Sequence, residues 1–306
     1  PLLTAHHEAR MLYWPCQHVG GDFFDAFSLP RDRLCVFIGD VAGHGVGPAL
    51  IASLLKVVVS DVVQAMPDSS PAALCREINN RYREQVPDPD MYATLLLLFH
   101  DPQSQRWSGM NCGHPAPIHI DLDGRDKSAV WGSRGSLPIG VDACSAVNPI
   151  FSEADELSVP SDEGDALLLF TDGLVDARYC EKTDCSGAEM LLQAFRETAA
   201  RSPSFDYPSA LLNRLAAQGF ASKNDDVCAV SIRLRRSCDL VFDQAFDFTP
   251  EGQQQAEFAV SDLLAQWNWP PLTHELVRVL VRRYIASVRN RDHAAEGSRI
   301  LVQMWQ

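Results

Sequence analysis

Positive charge is scarce in this chain: 26 Lys and Arg stand against 40 Asp and Glu, a formal net charge of −14 over 306 residues. A surface of that sign repels nucleic-acid backbones and anionic membranes, so neither is an expected partner. Long hydrophobic runs are also missing. No uninterrupted apolar stretch exceeds five residues, the length of Leu95 to Phe99, whereas a membrane helix takes roughly 20, and no membrane span is predicted. The nine cysteines, at 16, 35, 75, 112, 144, 180, 185, 228 and 238, form no CxxC pair. Several lie inside apolar runs, where a reduced thiol packs as a small hydrophobe, and this usage fits a reducing cytoplasm. There is no internal repeat and no low-complexity tract. What is present, 46% hydrophobic and 22% charged side chains, describes a globular chain long enough for one large domain or two ordinary ones.

The hydrophobic pattern alternates between strand and helix. Residues 10–14, 23–28 and 34–38 read as three strands separated by Gly20-Gly21 and Pro30-Arg31-Asp32, which predicts an opening β-meander. Apolar residues recur at helical spacing over 47–65, and Ser69-Ser70-Pro71 supplies a cap and a first-turn proline for a second helix ending near Gln85. Further strands are predicted at 93–100, 107–111, 118–121, 165–170 and 227–234, with helices at 187–200 and 207–218. Arg235-Arg236-Ser237 then breaks the pattern, which suggests a boundary near 240. Residues 1–240 form the first predicted domain and 241–306 a second segment. Two amphipathic helical patterns follow, at 249–267 and 274–291. From 251 onward six acids balance six Arg, so the whole charge excess belongs to residues 1–250.

Four aspartates sit at strand ends or in turns: Asp22 after Gly20-Gly21, Asp40 after Gly39, Asp172 before Gly173, and Asp225 beside Asp226. Any single one can be a turn residue, since Asp beside Gly commonly is. Together they suggest strand-end carboxylates converging at one edge of a sandwich. Clustered carboxylates are tolerable there when cations neutralise them, and hard oxygen ligands favour Mg²⁺ or Mn²⁺. An acidic protein that handles phosphate needs such a local positive centre.

The segment Gly39-Asp40-Val41-Ala42-Gly43-His44-Gly45 resembles the GDVxGHG pattern of metal-dependent protein phosphatases of the PPM type, SpoIIE-like subgroup. It lacks the Gly-Lys-Ser/Thr ending of a P-loop and the full GxGxxG spacing. The resemblance continues in order through Gly20-Gly21-Asp22-Phe23-Phe24-Asp25, Met91-Tyr92-Ala93-Thr94-Leu95, Asn111-Cys112-Gly113-His114-Pro115, Leu137-Pro138-Ile139-Gly140, Thr171-Asp172-Gly173-Leu174 and Asp225-Asp226. It implies an α/β fold of two antiparallel sheets sandwiched between helices. It implies a site for two Mn²⁺ or Mg²⁺ ions, with Asp40 bridging them, the Val41 carbonyl completing one site, Asp172 and Asp225 holding the other, and Asp22 supporting the cluster directly or through water. Adjacent Asp226 is the alternative to Asp225. His44 and His114 both read as structural rather than as catalytic groups. Three departures stand out: Phe24 for the usual Tyr, Cys112 for a common Ala, and Cys228 for the Thr or Ser expected after Asp-Asp, the last placing local hydrogen bonding in doubt.

The same resemblance implies hydrolysis of phosphoserine or phosphothreonine on a cytoplasmic regulatory protein, with a STAS-domain anti-anti-sigma factor in a partner-switching pathway as the expected substrate. It also implies an upstream sensory or receiver domain, consistent with a chain that begins Pro1-Leu2-Leu3-Thr4 without Met. The helix at 47–65, directly after the Asp40 loop, is a plausible switch element. A phosphatase-like scaffold without catalysis is the alternative. Residues 241–306 weakly resemble the start of a GHKL-type anti-sigma kinase domain, but Arg283, Ser287 and Arg291 occupy the positions of its Glu, Asn and His ligands. A partial, degenerate kinase-like, docking or dimerisation role without ATP chemistry is expected of this mainly helical segment.

Overall fold

A computed structural model describes residues 2–4, 6–16, 19–86, 88, 90–132, 135–141, 151–175, 187–201, 207–217, 225–235, 240–247, 254–255 and 299–305. The chain divides into two compact units, Pro1–Arg235 and Arg236–Gln306.

In the first unit, β1 (Leu2–Leu3), β2 (His7–Trp14), β7 (Ile118–Ile120), β9 (Ala166–Phe170) and β10 (Val227–Leu234) form one sheet, in the order β1-β2-β10-β9-β7. The other sheet runs β3 (Asp22–Ser28), β4 (Leu34–Val41), β5 (Ala93–Asp101), β6 (Arg106–Cys112) and β8 (Leu157–Pro160). All these pairings are antiparallel. Period-2 alternation then sorts the side chains into layers. Leu34, Val36 and Ile38 of β4 meet Leu167, Leu169, Val230 and Ile232 between the sheets. Cys35 and Phe37 point the other way, onto α1 (Val46–Ala65) and α2 (Pro71–Gln85). Leu168, Phe170 and Ala229 pack under α3 (Gly187–Arg201) and α4 (Tyr207–Ala217). Strands buried on both faces explain the near-continuous apolar runs at 34–38, 95–99 and 166–170, each large side chain contributing about 1.5–3 kcal/mol of burial.

The expected layered α/β sandwich is the fold observed. The opening meander is not. β2 pairs with β10, Trp14 against Val227 and His7 against Leu234, whereas β3 pairs, among the described residues, with β4 alone. Local pattern identified the strands correctly, but the chain changes sheets at Gly20-Gly21, where β2 gives way to β3. The edge strand β8, four residues that alternate buried and exposed, and the two-residue β1 are too short to stand out in the sequence and are not among the expected strands.

The second helix begins as its sequence indicates, with the Ser70 hydroxyl accepting the Ala73 N–H and Pro71 in the first turn. Helix α1 is long and apolar enough to cross a membrane by length and composition. Here Ala52, Leu55, Val58, Val59, Val62 and Val63 are buried in the core, while Val46, Leu50 and Val57 are exposed. Cys35, Cys75, Cys112 and Cys228 are free and buried.

The second unit contains an antiparallel pair, β11 (Leu240–Asp247) and β12 (Arg299–Trp305). The sequence pattern indicates a mainly helical segment. Both predicted helices fall almost wholly outside the described residues, as do Arg283, Ser287 and Arg291.

Candidate metal centre

The topology brings four aspartates from distant sequence positions to one end of the sandwich. Asp22 opens β3 and is the register partner of Asp40, next to last in β4. Asp172 begins a 3-10 turn directly after β9, and Asp225-Asp226 directly precede β10, the neighbour of β9. Each sheet therefore delivers acids to the same edge. Asp22 and Asp226 are buried, Asp40 and Asp172 half-buried, and Asp225 exposed. Val41, the expected carbonyl ligand, points its oxygen the same way: a Cβ placed on Gly21 would stand 2.8 Å from Val41 O and 3.1 Å from Asp40 Oδ1. The two oxygens lie together against a bare backbone position.

Asp225 and Asp226, which sequence could not separate, have different surroundings. The Asp226 carboxylate accepts the Cys16 N–H and the Gly21 N–H, both at 2.8 Å. A Cβ on Gly20 would overlap that carboxylate at 2.0 Å, which accounts for glycine there. Asp226 is therefore engaged in tying the β2–β3 crossover to β10. Asp225 accepts the Asp226 N–H at 2.9 Å and remains open to solvent.

Three further residues position the carboxylates. Thr171 donates its hydroxyl to Asp22 Oδ2 at 2.7 Å and accepts the Cys228 N–H at 2.9 Å. The hydrogen bonding that Cys228 placed in doubt is thus made by a backbone group and Thr171, while the Cys228 thiol packs between the sheets. Thr94 Oγ1 accepts the Asp40 N–H at 3.2 Å and pairs with His114 Nδ1 at 2.8 Å. His114 Nε2 meets Phe170 O at 3.1 Å, linking the end of β4 to the end of β9 through β5. His114 is structural, as expected, and burial holds it neutral, pushing its pKa down to about 3. His44 is exposed, so of the two structural roles open to it, packed or loop-stabilising, the packed one does not hold. Its loop turns through Gly43 and Gly45 with φ of 99° and 95°, leaving the intervening side chain outside. Thr94 and Thr171 were missed as supporting groups; the only signal was their place beside Leu95 and Asp172 in matched motifs.

Electrostatics at this end are unfavourable as they stand. Burial first, then Asp40, Asp226 and Asp172, raise the Asp22 pKa to about 8, against the pull of Thr171. Burial, then Asp172, Asp225 and Asp226, raise Asp40 to about 7, with a hydrogen bond to Asp22 opposing. Tyr13 is raised by burial and by Asp226 and Asp22. Among the described residues no three His, Cys, Asp or Glu side chains close into a cage tight enough to hold an ion. The donor chemistry nevertheless fits a divalent cation, since several hard oxygens converge and repel each other.

A family model for Stage II sporulation protein E (SpoIIE) matches residues 30–235. The chain belongs to the SpoIIE family. It is 25% identical over 240 residues to the phosphoserine phosphatase RsbP of Bacillus subtilis (strain 168), covering 77% of this chain and 54% of that protein. The chain thus spans about half the length of that curated relative. The crystal structure of the RsbU and RsbW domains of Rv1364c from Mycobacterium tuberculosis superposes with a TM-score of 0.63 at 20% identity, over 98% of this chain and 80% of that one. The catalytic domain of the serine/threonine protein phosphatase PstP, solved in complex with two manganese ions, gives a TM-score of 0.51 at 14% identity, over 76% of this chain and 99% of that one. These likenesses establish the SpoIIE-family, PP2C-type fold of the first unit.

Proposed function

We propose that this SpoIIE-family chain is a metal-dependent protein phosphatase that hydrolyses phosphoserine or phosphothreonine on a cytoplasmic regulatory protein. The observation that carries the reading is the convergence of Asp22, Asp40, Asp172 and Asp225 on one edge, with Asp22 and Asp40 raised to about 8 and 7. Carboxylates so arranged are stabilised by cations. Asp40 and the Val41 carbonyl, with Asp172, Asp225 and Asp22, are the groups that would hold two Mn²⁺ or Mg²⁺ ions. Asp225 is preferred over Asp226, whose oxygens already accept two backbone N–H groups. Divalent ions, when bound, lower the pKa of water and offset negative charge on phosphoryl oxygens. The protein's own part is to hold the carboxylates in place: Thr171 orients Asp22, and Thr94 with His114 fixes the Asp40 backbone.

The substrate proposed from family resemblance is the phosphoserine form of a STAS-domain regulator in a partner-switching pathway. RsbP, a phosphoserine phosphatase by name, supports the reaction class. An upstream sensory or receiver domain would control activity, with α1 as the switch element, and residues 241–306 would serve docking or dimerisation. Manganese-dependent phosphate release from a phosphoserine protein, abolished by Asp40→Asn, is the expected result. Manganese binding with no turnover of either a phosphoprotein or a small aryl phosphate would instead favour a catalytically silent scaffold.

A further inference from the structure

Beside the carboxylates lies a cleft of about 350 Å³ between β3 and α1, whose lining includes Tyr13, Asp22, Phe24, Ala49, Ser53 and Lys56. One wall is aromatic, with the Tyr13 and Phe24 rings 6.2 Å apart. Lys56 is the one cation lining it among the described residues. Its ammonium lies 5.5 Å above the Phe24 ring and 3.3 Å from Asp25 Oδ2. The two side chains of this pair are 45% and 34% exposed, so their attraction is screened and readily shared with a third group. An ammonium has three donors, and Asp25 engages it from one side only.

We propose that this cleft seats the substrate segment flanking the phosphorylated residue, and that Lys56 is a positioning residue that selects an acidic side chain in that segment. The inference rests on the phosphatase reading and adds a preference for acidic flanks. Three observations support this occupant. The cleft is continuous with the proposed reaction centre, because Asp22 belongs to both. Its aromatic wall offers a surface for an extended peptide. Within a region carrying the whole −14 excess, Lys56 is the local reversal of sign that would attract an acidic flank and repel a basic one.

The test uses fluorescent peptides in which the phosphoserine is replaced by its non-hydrolysable phosphonate, with Glu, Ala or Lys placed in turn at each of the flanking positions. Binding to the whole chain is read by anisotropy with Mn²⁺ present. The wild-type protein is expected to bind the best Glu peptide about fivefold or more tightly than its Lys counterpart. Lys56→Met should bring that ratio close to one, Lys56→Glu should invert it, and Lys56→Arg should keep it. Unchanged melting temperatures verify that the variants are folded.

No measurable binding, a wild-type ratio near one, or a preference that survives both Lys56→Met and Lys56→Glu overturns the proposal. An equal loss for every peptide also overturns it, since Lys56 would then meet the phosphate itself. Manganese-dependent release of phosphate from an aryl phosphate is followed in parallel. Its absence from the wild-type protein would contradict the phosphatase reading, while the binding ratios decide the role of Lys56 independently.

Discussion

At one end of the sandwich Asp22 and Asp40 face each other across β3 and β4, and burial and mutual repulsion drive their pKa values up to about 8 and 7. At the opposite end, where His100 pairs with Leu34 and His7 with Leu234, buried titratable groups are matched to one another. His7 Nε2 meets His100 Nδ1 at 2.7 Å, and His100 Nε2 meets Ser161 Oγ at 2.9 Å. Burial, with the neighbouring imidazoles, lowers His7 to about 3; burial first, and His6, lower His100 to about 4. Asp165, buried nearby, bonds His119 and Lys127 at 2.8 and 2.9 Å. Burial alone would raise its pKa, yet His119, the Asp162 N–H and Lys127 hold it below the ordinary carboxylate value. Both ends bury polar groups, but of the two, among the described residues, the aspartate end is the one that gathers like charges. Perturbed titration by itself does not mark the site; perturbation by convergent like charge, beside an open cleft, does.

The largest effects are expected at the carboxylates. Asp40→Asn and Asp172→Asn should each lower manganese-dependent phosphate release by about 100-fold or more, because binding and activation by the ions contribute several kcal/mol to the barrier. Thr171→Val removes the hydroxyl donated to Asp22 and should lower metal affinity or activity by about 10- to 100-fold, read by Mn²⁺ titration of phosphate release.

Asp225 and Asp226 differ in the same way at single-residue scale, one open to solvent and one engaged by backbone N–H groups. Asp225→Ala should abolish most activity with little change in melting temperature. Asp226→Ala leaves the Cys16 and Gly21 N–H groups without their acceptor and should cost about 1–3 kcal/mol, measured by urea unfolding. If the two effects are exchanged, Asp226 is the ligand.

The smallest expected effect lies at the histidine end. Both imidazoles have folded pKa values below the unfolded 6.5, so the unfolded chain binds more protons and stability falls as pH drops from about 6.5 through the folded values of about 3 and 4. A His7→Gln/His100→Gln variant should show a shallower loss of stability between pH 6.5 and 4.5 by chemical denaturation, with activity at neutral pH within about twofold of wild type. A large loss of activity per folded molecule would mean that the two ends are coupled.

The four aspartates could be singled out in the sequence because they sit in short motifs whose glycines permit close backbone approach. A Cβ on Gly173 would stand 2.0 Å from Asp226 O, so the Thr-Asp-Gly signal carries a steric requirement as well as a carboxylate. The strands of the first unit were readable because β4, β5, β9 and β10 are buried on both faces. Pairing was not readable. Nothing local in residues 10–14 shows that they join β10 more than 200 residues later, a partnership fixed by the opposing apolar faces of Ala9, Val230 and Ile232. The distinction between Asp225 and Asp226 was equally hidden, since it depends on N–H groups delivered by Cys16 and Gly21 from the far end of the chain.

Divalent cations are expected to stabilise the aspartate end. The decisive measurement is the melting temperature of the wild-type chain and of Asp40→Asn at pH 8, with and without saturating Mn²⁺. At about 100 times its dissociation constant a ligand contributes about 2.7 kcal/mol, which corresponds to a rise of about 5 °C or more for a unit of this size. That rise is expected for the wild-type protein, with little or none for Asp40→Asn. No rise in the wild-type protein, or an equal rise in both, would contradict that expectation.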